Sequence, residues 1–228
     1  MTQFLEKITF NLKWRPVKTS VQARIRKYSK SKDDIFFIQI GSNDGVTRDP
    51  LYRHIIEDQW QGIVVEPVRY IYEKLVRNYS SHHRVTCENL AIGDENGFRN
   101  FYRLRENDDG LPVWYDQIGS FDLGVVLAHR HKIEGFDRYL MTDQVRCVTL
   151  DTLLNDKKVR KLDLLHIDSE GYDYEIIKML DMSKFKPEVI LFEHKHLSIP
   201  VYTEAIAHLK RKHYRLYREK NDTLAILR

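Results

Sequence analysis

The chain has only two cysteines, Cys87 and Cys147, in 228 residues, which excludes a disulfide framework as the basis of its fold. Both sit in apolar stretches that read as strands, so they are expected to be packed, reduced thiols, and a cytoplasmic setting follows. No apolar run reaches the roughly 18 residues of a transmembrane span, and the N-terminus lacks the unbroken apolar region of a secretory signal. A G-x-G-x-x-G loop is also missing, which argues against a dinucleotide whose pyrophosphate rests on bare backbone amides. Zinc-finger spacing and an aromatic-rich RNA-binding signature are absent, so no nucleic-acid partner is expected. There is no internal repeat and no low-complexity segment.

What is present is 42% hydrophobic and 11% aromatic residues, ample for one large domain with a core. The net charge of +4 is unevenly placed: residues 1–32 carry nine Lys or Arg against Glu6 alone, which is +8 and leaves −4 for residues 33–228. Residues 1–32 therefore read as a basic arm, and Phe4, Leu5, Ile8, Leu12 and Trp14 recur at nearly helical spacing. Such an arm either docks as a solvated helix or makes weak contact with an anionic membrane surface. Residues 33–228 read as a single domain.

Within that domain, Ile35–Ile40 is an apolar run that breaks into Gly41-Ser42-Asn43-Asp44-Gly45, and Ile63-Val64-Val65 stops at Glu66. A buried strand ending in a glycine turn, followed after about 20 residues by an acid closing the next strand, is the pattern of a nucleoside pocket, the acid accepting from the ribose hydroxyls. Asp44 in the loop would repel a diphosphate and attract an ammonium or sulfonium group. S-adenosylmethionine carries both cations.

Further along, the sequence alternates helical and extended patterns. Leu51–Trp60 reads as a helix, Pro67 suits the first position of a helix running to Asn78, and Val85–Ile92 reads as a third strand. Phe98–Leu104 and Val145–Val148 read as extended. Between them, Arg105–Gly124 reads as a long loop over the ligand crevice, part of a lid or substrate insertion near residues 105–143. Thr149–Leu154 reads as a capped short helix. Leu162–Asp168 and Pro187–Glu193 are strands that each deliver a carboxylate, and helix Thr203–Lys212 precedes two closing strands, Tyr214–Arg218 and Thr223–Leu227. The tight turn at Asn221-Asp222 makes that last pair antiparallel, and so implies one antiparallel strand at the sheet edge. The fold class is α/β, Rossmann-like and mostly parallel.

The ordered segments Ile38–Gly45, Glu66-Pro67, Leu90–Asp94, Val148–Asp151 and His166–Gly171 resemble the FkbM family of S-adenosylmethionine-dependent methyltransferases, over about Ile35 to His196. The resemblance implies the seven-stranded class I methyltransferase sheet of order 3-2-1-4-5-7-6 with an antiparallel last strand, and methylation of hydroxyl oxygens on sugars or macrolides. It implies that Gly41, Ser42, Asn43, Asp44 and Gly45 surround the methionine part of the cofactor, that Gln39 is a further cofactor contact, that Glu66 meets the ribose, and that Asn89, Leu90 and Ala91 line the adenine. Gln39 stands where the family commonly has Asp, and His166 where it commonly has Lys.

Methyl transfer to an aliphatic hydroxyl needs alignment and a base, and Asp168, Glu170 and His194 lie at strand ends suited to that role. Asp168, Glu170 and Glu193 could also hold Mg²⁺, though nothing in the spacing requires a metal. The function expected is therefore O-methyl transfer from S-adenosylmethionine, leaving S-adenosylhomocysteine, to a small molecule or a sugar or glycan unit. Two other readings stay open on sequence alone: a binding module of methyltransferase fold without catalysis, and a nucleotide-dependent oxidoreductase on a Rossmann-like sheet.

Overall fold

Phe36–Ile40 is buried at four of its five positions, a pattern that only a central strand covered on both faces can satisfy. The computed structural model describes residues 20–106, 111–112 and 114–228. In it this strand, β1, pairs in parallel with β2 (Gln61–Val65) on one side and β7 (Leu164–Ile167) on the other. β2 continues to β3 (Val85–Glu88), and β7 to β8 (Val189–Glu193), again in parallel. β10 (Asp222–Leu227) runs antiparallel between β8 and β9 (Tyr214–Glu219). The main sheet is thus β3-β2-β1-β7-β8-β10-β9. Counting only its own seven strands in chain order, this is the expected 3-2-1-4-5-7-6. The reversed strand is not at the edge, however: β10 has neighbours on both sides, and β9 takes the edge. Thr223, Leu224 and Ala225 explain the preference, since their full burial fits an interior strand, whereas β9 carries Arg215, Arg218 and Glu219 and is buried only at Tyr214.

Helices cover both faces. On one side α5 (Leu150–Asp156), α6 (Asp173–Met179) and α7 (Ile199–Arg211) bury Leu153, Ile176, Ile177, Ala205 and Leu209 against Ile38, Ile40, Leu165, Ile190 and Phe192. On the other, α1 (Val21–Ser29), α2 (Tyr52–Glu57) and α3 (Arg69–Asn78) pack Ile25, Ile55 and Leu75 against Phe37, Val64, Leu164 and Leu191. Each fully buried aliphatic side chain contributes about 1.5–3 kcal/mol. Residues 21–29 of the basic segment are therefore docked structure: Val21 and Ile25 are buried, Arg24 lies 3.6 Å over the Tyr217 ring, and Lys32 bridges Asp163 and Glu188 at 2.6 and 2.5 Å. Phe4, Leu5, Ile8, Leu12 and Trp14 lie outside the described residues.

Two local expectations are corrected. Val85–Ile92 is not one strand: after β3 the chain steps through Asn89-Leu90 into β4 (Ala91–Ile92), which belongs to a second sheet of order β4-β6-β5. Asn89 makes the step, its amide donating to the carbonyls of Glu66 and Pro67 at 2.9 and 3.0 Å. Pro67 also does not begin a helix, because Val68 is the extended residue before α3, which starts at Arg69. In the small sheet, β5 (Gly97–Leu104) and β6 (Leu140–Val148) form a long antiparallel ribbon. The segment between them is more ordered than a bare loop: a 3₁₀ turn at Tyr115–Gln117, helix α4 (Leu123–Leu127) and two further 3₁₀ turns bury Ile118, Val126, Ile133 and Phe136 around Leu104. Among the described residues no helix is long and apolar enough to cross a membrane.

Candidate active site

The parallel strands stop at a common level. Gly41 N donates to Val65 O, Glu66 N to Glu88 O and Asp168 N to Ile40 O, at 3.0, 3.0 and 2.9 Å, so Gly41, Glu66 and Asp168 stand together at the C-terminal rim. Above them lies a cavity of about 370 Å³, in the range of small-ligand sites.

The glycine loop is built by side chains as much as by glycine. Gly41 takes a φ of +77°, and a Cβ there would fall 1.7 Å from the Asp168 carbonyl oxygen. Only glycine lets β1 and β7 approach so closely. The Ser42 hydroxyl donates to Gln39 O and accepts from Val65 N, both at 3.1 Å, tying β1 to β2. Asn43 N donates to Glu66 Oε2 at 2.9 Å, and the Asn43 amide donates to Asp116 O at 3.1 Å.

Glu66 lines the cavity and is 5% exposed. Its Oε1 accepts from Val68 N at 2.9 Å. Burial pushes its carboxyl up to about 7, with Asp116 adding repulsion, against the opposing pull of the Val68 and Asn43 N–H groups. Gln39, Gly41, Ser42, Asn43, Leu90 and Ala91 line the same cavity, as do Asp168 and Glu170.

Asp44, Gly45, Asn89 and His194 do not line it. The Asp44 carboxylate is occupied within its own turn, accepting from Val46 N, Thr47 N and the Thr47 hydroxyl at 2.9, 2.7 and 2.6 Å. Gly45 sits against Tyr79, whose hydroxyl donates to Gly45 O at 3.1 Å. His194 lies on the opposite side of its chain from Glu193, as strand alternation requires. It stacks on Tyr202 at 4.6 Å, accepts from Arg218 Nε on Nε2 at 3.0 Å, and meets the Thr223 hydroxyl through Nδ1 at 3.1 Å. Burial, then Arg218, lower its pKa to about 4.

In place of Asp44, the cavity presents Asp49. Its Oδ1 accepts from Leu51 N and Tyr52 N at the start of α2 (2.6 and 2.9 Å), and its Oδ2 accepts from the Gln39 amide at 2.6 Å. Burial raises its pKa to about 6. An Asp just ahead of an apolar helical stretch is a helix-start signal, and that was the mark by which Asp49 could have been found. Beside it Gln39 and His166 pair in register on β1 and β7. Burial holds His166 at about 3, hence neutral, and among the described residues Gln39 Oε1 and His166 Nδ1 have no hydrogen-bond partner.

The far wall is a carboxylate cluster. Asp168 is open to the cavity, yet the enclosing walls push its carboxyl well above the usual range, and Glu193, Glu170, Asp173 and Asp222 push in the same direction. Burial and then Glu170 raise Glu193 to about 8. Asp173 is fully buried and raised to about 7 by that burial. Asp116, Gln117, Gly119 and Phe121 close the cavity from the segment between β5 and β6.

A mostly parallel sheet of this order with a reversed last strand, and with a ligand cavity at the C-terminal strand ends, defines the Rossmann-like class I methyltransferase fold. Residues 39–216 match the family described as the methyltransferase FkbM domain, and the chain belongs to that family. Among solved structures, a methyltransferase FkbM from Methylobacillus flagellatus KT is similar with a TM-score of 0.51 at 14% identity, covering 85% of this chain and 43% of that chain. This chain thus spans less than half the length of that relative. A precorrin-6y C5,15-methyltransferase from Geobacter metallireducens GS-15 gives a TM-score of 0.42 at 14% identity, covering 92% of this chain and 90% of that one. A fibrillarin pre-rRNA processing protein from Methanococcus jannaschii gives 0.44 at 12% identity, covering 86% and 67%. No curated protein matches the chain in sequence.

Proposed function

We propose that the chain transfers a methyl group from S-adenosylmethionine to a hydroxyl oxygen of a small molecule, with a sugar or glycan unit as the acceptor class. One observation carries the choice of cofactor: among the described residues, seven carboxylates line the cavity (Asp49, Glu66, Asp116, Asp168, Glu170, Glu193 and Asp222) against two cationic side chains, Arg48 and Lys195. Such a lining disfavours a pyrophosphate and favours a ligand with ammonium and sulfonium charges. It therefore counts against a dinucleotide oxidoreductase.

In this reading Glu66 accepts from the ribose hydroxyls, Leu90 and Ala91 border the adenine, and Asp49 stands where a cationic methionine end would be drawn. The acceptor lies against the segment between β5 and β6, of whose described residues Asp116, Gln117, Gly119 and Phe121 reach the cavity. Its oxygen attacks the methyl carbon in line with sulfur. The new C–O bond forms as the C–S bond breaks, its electron pair returns to sulfur as the neutral thioether, and the hydroxyl proton passes to Asp168. A cytoplasmic setting belongs to the same proposal and is supported by the free thiols of Cys87 and Cys147, each packed within a strand. Mg²⁺ would find oxygen ligands in the carboxylate cluster, but the displacement as written needs no metal.

The test is calorimetric titration with S-adenosylhomocysteine. A 1:1 complex is expected, with Glu66→Ala weakening it by about tenfold or more, as for a lost hydrogen bond to a charged group. Binding to the ionised Glu66 also fixes the pH dependence. A folded-state pKa of about 7 against 4.5 for an exposed glutamate means that the fold itself loses stability as pH rises between those values. Ribose binding gains over the same rise, because the hydroxyls need the carboxylate. Affinity should accordingly tighten by up to about tenfold from pH 6 to pH 8, and the trend should flatten in Glu66→Gln. No complex with the wild type, or a complex indifferent to Glu66, removes the cofactor from this cavity.

A further inference from the structure

We infer that Glu170, Glu193 and His196 form a binding site for one divalent first-row transition-metal ion at the ends of β7 and β8. His196 Nε2 lies 2.8 Å from Glu170 Oε2 and 3.8 Å from Glu193 Oε2, and one ligand atom from each of the three residues falls within 4.8 Å of the others. Donor atoms bound at about 2.0–2.2 Å to a common ion stand about 3–4 Å apart, so the separations already approximate a coordination face.

Burial supplies an independent reason. Glu193 is 7% exposed, and Glu193 Oε2, Glu170 Oε2 and His196 Nε2 are all shielded from water; among the described residues none of them makes a hydrogen bond of good geometry, His196 and Glu170 meeting only as a close charge contact. Lys195 Nζ stays 4.0 Å from Glu193 Oε1. Three sets of buried lone pairs aimed at one point are costly unless something positive joins them.

The surrounding structure holds this arrangement in place. Asp173 Oδ2 accepts from Gly171 N and the Ser169 hydroxyl at 3.2 and 3.1 Å, and its Oδ1 accepts from Glu193 N at 3.1 Å, clamping the Glu170 loop to the end of β8. The Ser120 hydroxyl donates to Glu170 O at 2.9 Å. Glu170 and Gly171 both take left-handed backbone, with φ of +48° and +104°. For a non-glycine residue such a conformation costs on the order of 1 kcal/mol and persists where the surroundings enforce it. Supporting residues of this kind are what metal ligands ordinarily need.

The donor set selects the ion. Two carboxylates alone would suit Mg²⁺ or Ca²⁺, whereas adding imidazole nitrogen shifts the preference to Mn²⁺, Fe²⁺, Co²⁺ or Zn²⁺. Glu170 and Glu193 share the cavity with Asp168, so a bound ion would face the acceptor oxygen, lower the pKa of its hydroxyl and ease proton loss to Asp168. That role rests on the methyl-transfer reading, whereas binding of the ion does not.

The experiment is an Mn²⁺ titration of the chelator-stripped full chain, followed by the loss of the free-ion signal in electron paramagnetic resonance. One ion per chain is expected, preferred over Mg²⁺, with Glu193→Gln and His196→Gln each weakening it by about tenfold or more. S-adenosylhomocysteine affinity, measured on His196→Gln, whose residue does not line the cavity, should stay within about threefold, which separates loss of a ligand from loss of fold. Absence of saturable Mn²⁺ binding, affinity unchanged in both variants, or a preference for Mg²⁺ overturns the inference. Mn²⁺ binding in a chain that fails to bind S-adenosylhomocysteine leaves the metal site standing and removes only the methyl-transfer reading.

Discussion

Gly41→Ala is expected to weaken S-adenosylhomocysteine binding by at least about a hundredfold, which corresponds to roughly 3 kcal/mol. Two costs act together. A left-handed φ of +77° disfavours any residue with a Cβ, by about 1–2 kcal/mol. The methyl group would also sit 1.7 Å from the Asp168 carbonyl oxygen, far inside contact distance. Neither backbone can yield alone, because Gly41 N is bonded to Val65 O and Asp168 N to Ile40 O. Relief means spreading β1 from β7 at the rim, where Gly41 and Asp168 both line the cavity. At about 2–4 °C per kcal/mol for a chain of this size, the melting temperature should fall by several degrees. Gly45→Ala is the control: its Cβ would strike the buried side chains of Tyr79 and Leu75, outside the cavity lining, at 2.4 and 2.6 Å. It should lower stability while sparing affinity relative to Gly41→Ala. Equal losses of affinity in the two variants would contradict this account.

The contrast between those glycines shows what was legible in the sequence. Backbone-level features could be read, because burial on both faces writes itself as unbroken apolar runs and a parallel crossover as alternating helix and strand. β1, β2, β7 and β8, the acid closing β2 and the carboxylate following β7 were all visible in that way. Side-chain direction was far less legible. Asp44 and Asp49 are five positions apart in one loop, and nothing in composition says that the first closes its own turn while the second reaches the cavity. His194 and His196 pose the same problem: the strand period carries Glu193 to the crevice and His194, whose N–H still bonds to Asn221 O just past the end of β8, away from it, but beyond His194 the period no longer applies. His196 reaches the site through a turn whose geometry depends on Asp173, a residue twenty positions earlier than Glu193. The break between β3 and β4 was hidden for a related reason. Asn89 looks like a polar position in a strand, and only its bonds to the distant carbonyls of Glu66 and Pro67 reveal a step between two sheets.

Asp168→Asn should lower kcat by about 10²–10⁴-fold, the usual contribution of a positioned base, while S-adenosylhomocysteine affinity stays within about threefold. The amide keeps the size of the carboxyl and leaves the Asp168 backbone bond to Ile40 intact. What it removes is the proton acceptor. In the wild type, the cavity walls and the charges of Glu193, Glu170, Asp173 and Asp222 all favour the protonated acid. The base form therefore grows with rising pH, and kcat/KM for the acceptor at saturating S-adenosylmethionine should climb through a limb displaced above the ordinary carboxylate range. In Asp168→Asn that limb should vanish from whatever activity is left. Stability separates this role from a structural one. A carboxyl whose folded pKa is raised opposes folding increasingly as pH rises above its unfolded value, and here it also repels its neighbours. Replacing it should leave the melting temperature at pH 8 unchanged or higher, the pattern of a residue kept for reactivity at the expense of the fold. A variant that melts lower and turns over normally would mark Asp168 as scaffold, and the proton would then have to leave through another member of the carboxylate cluster.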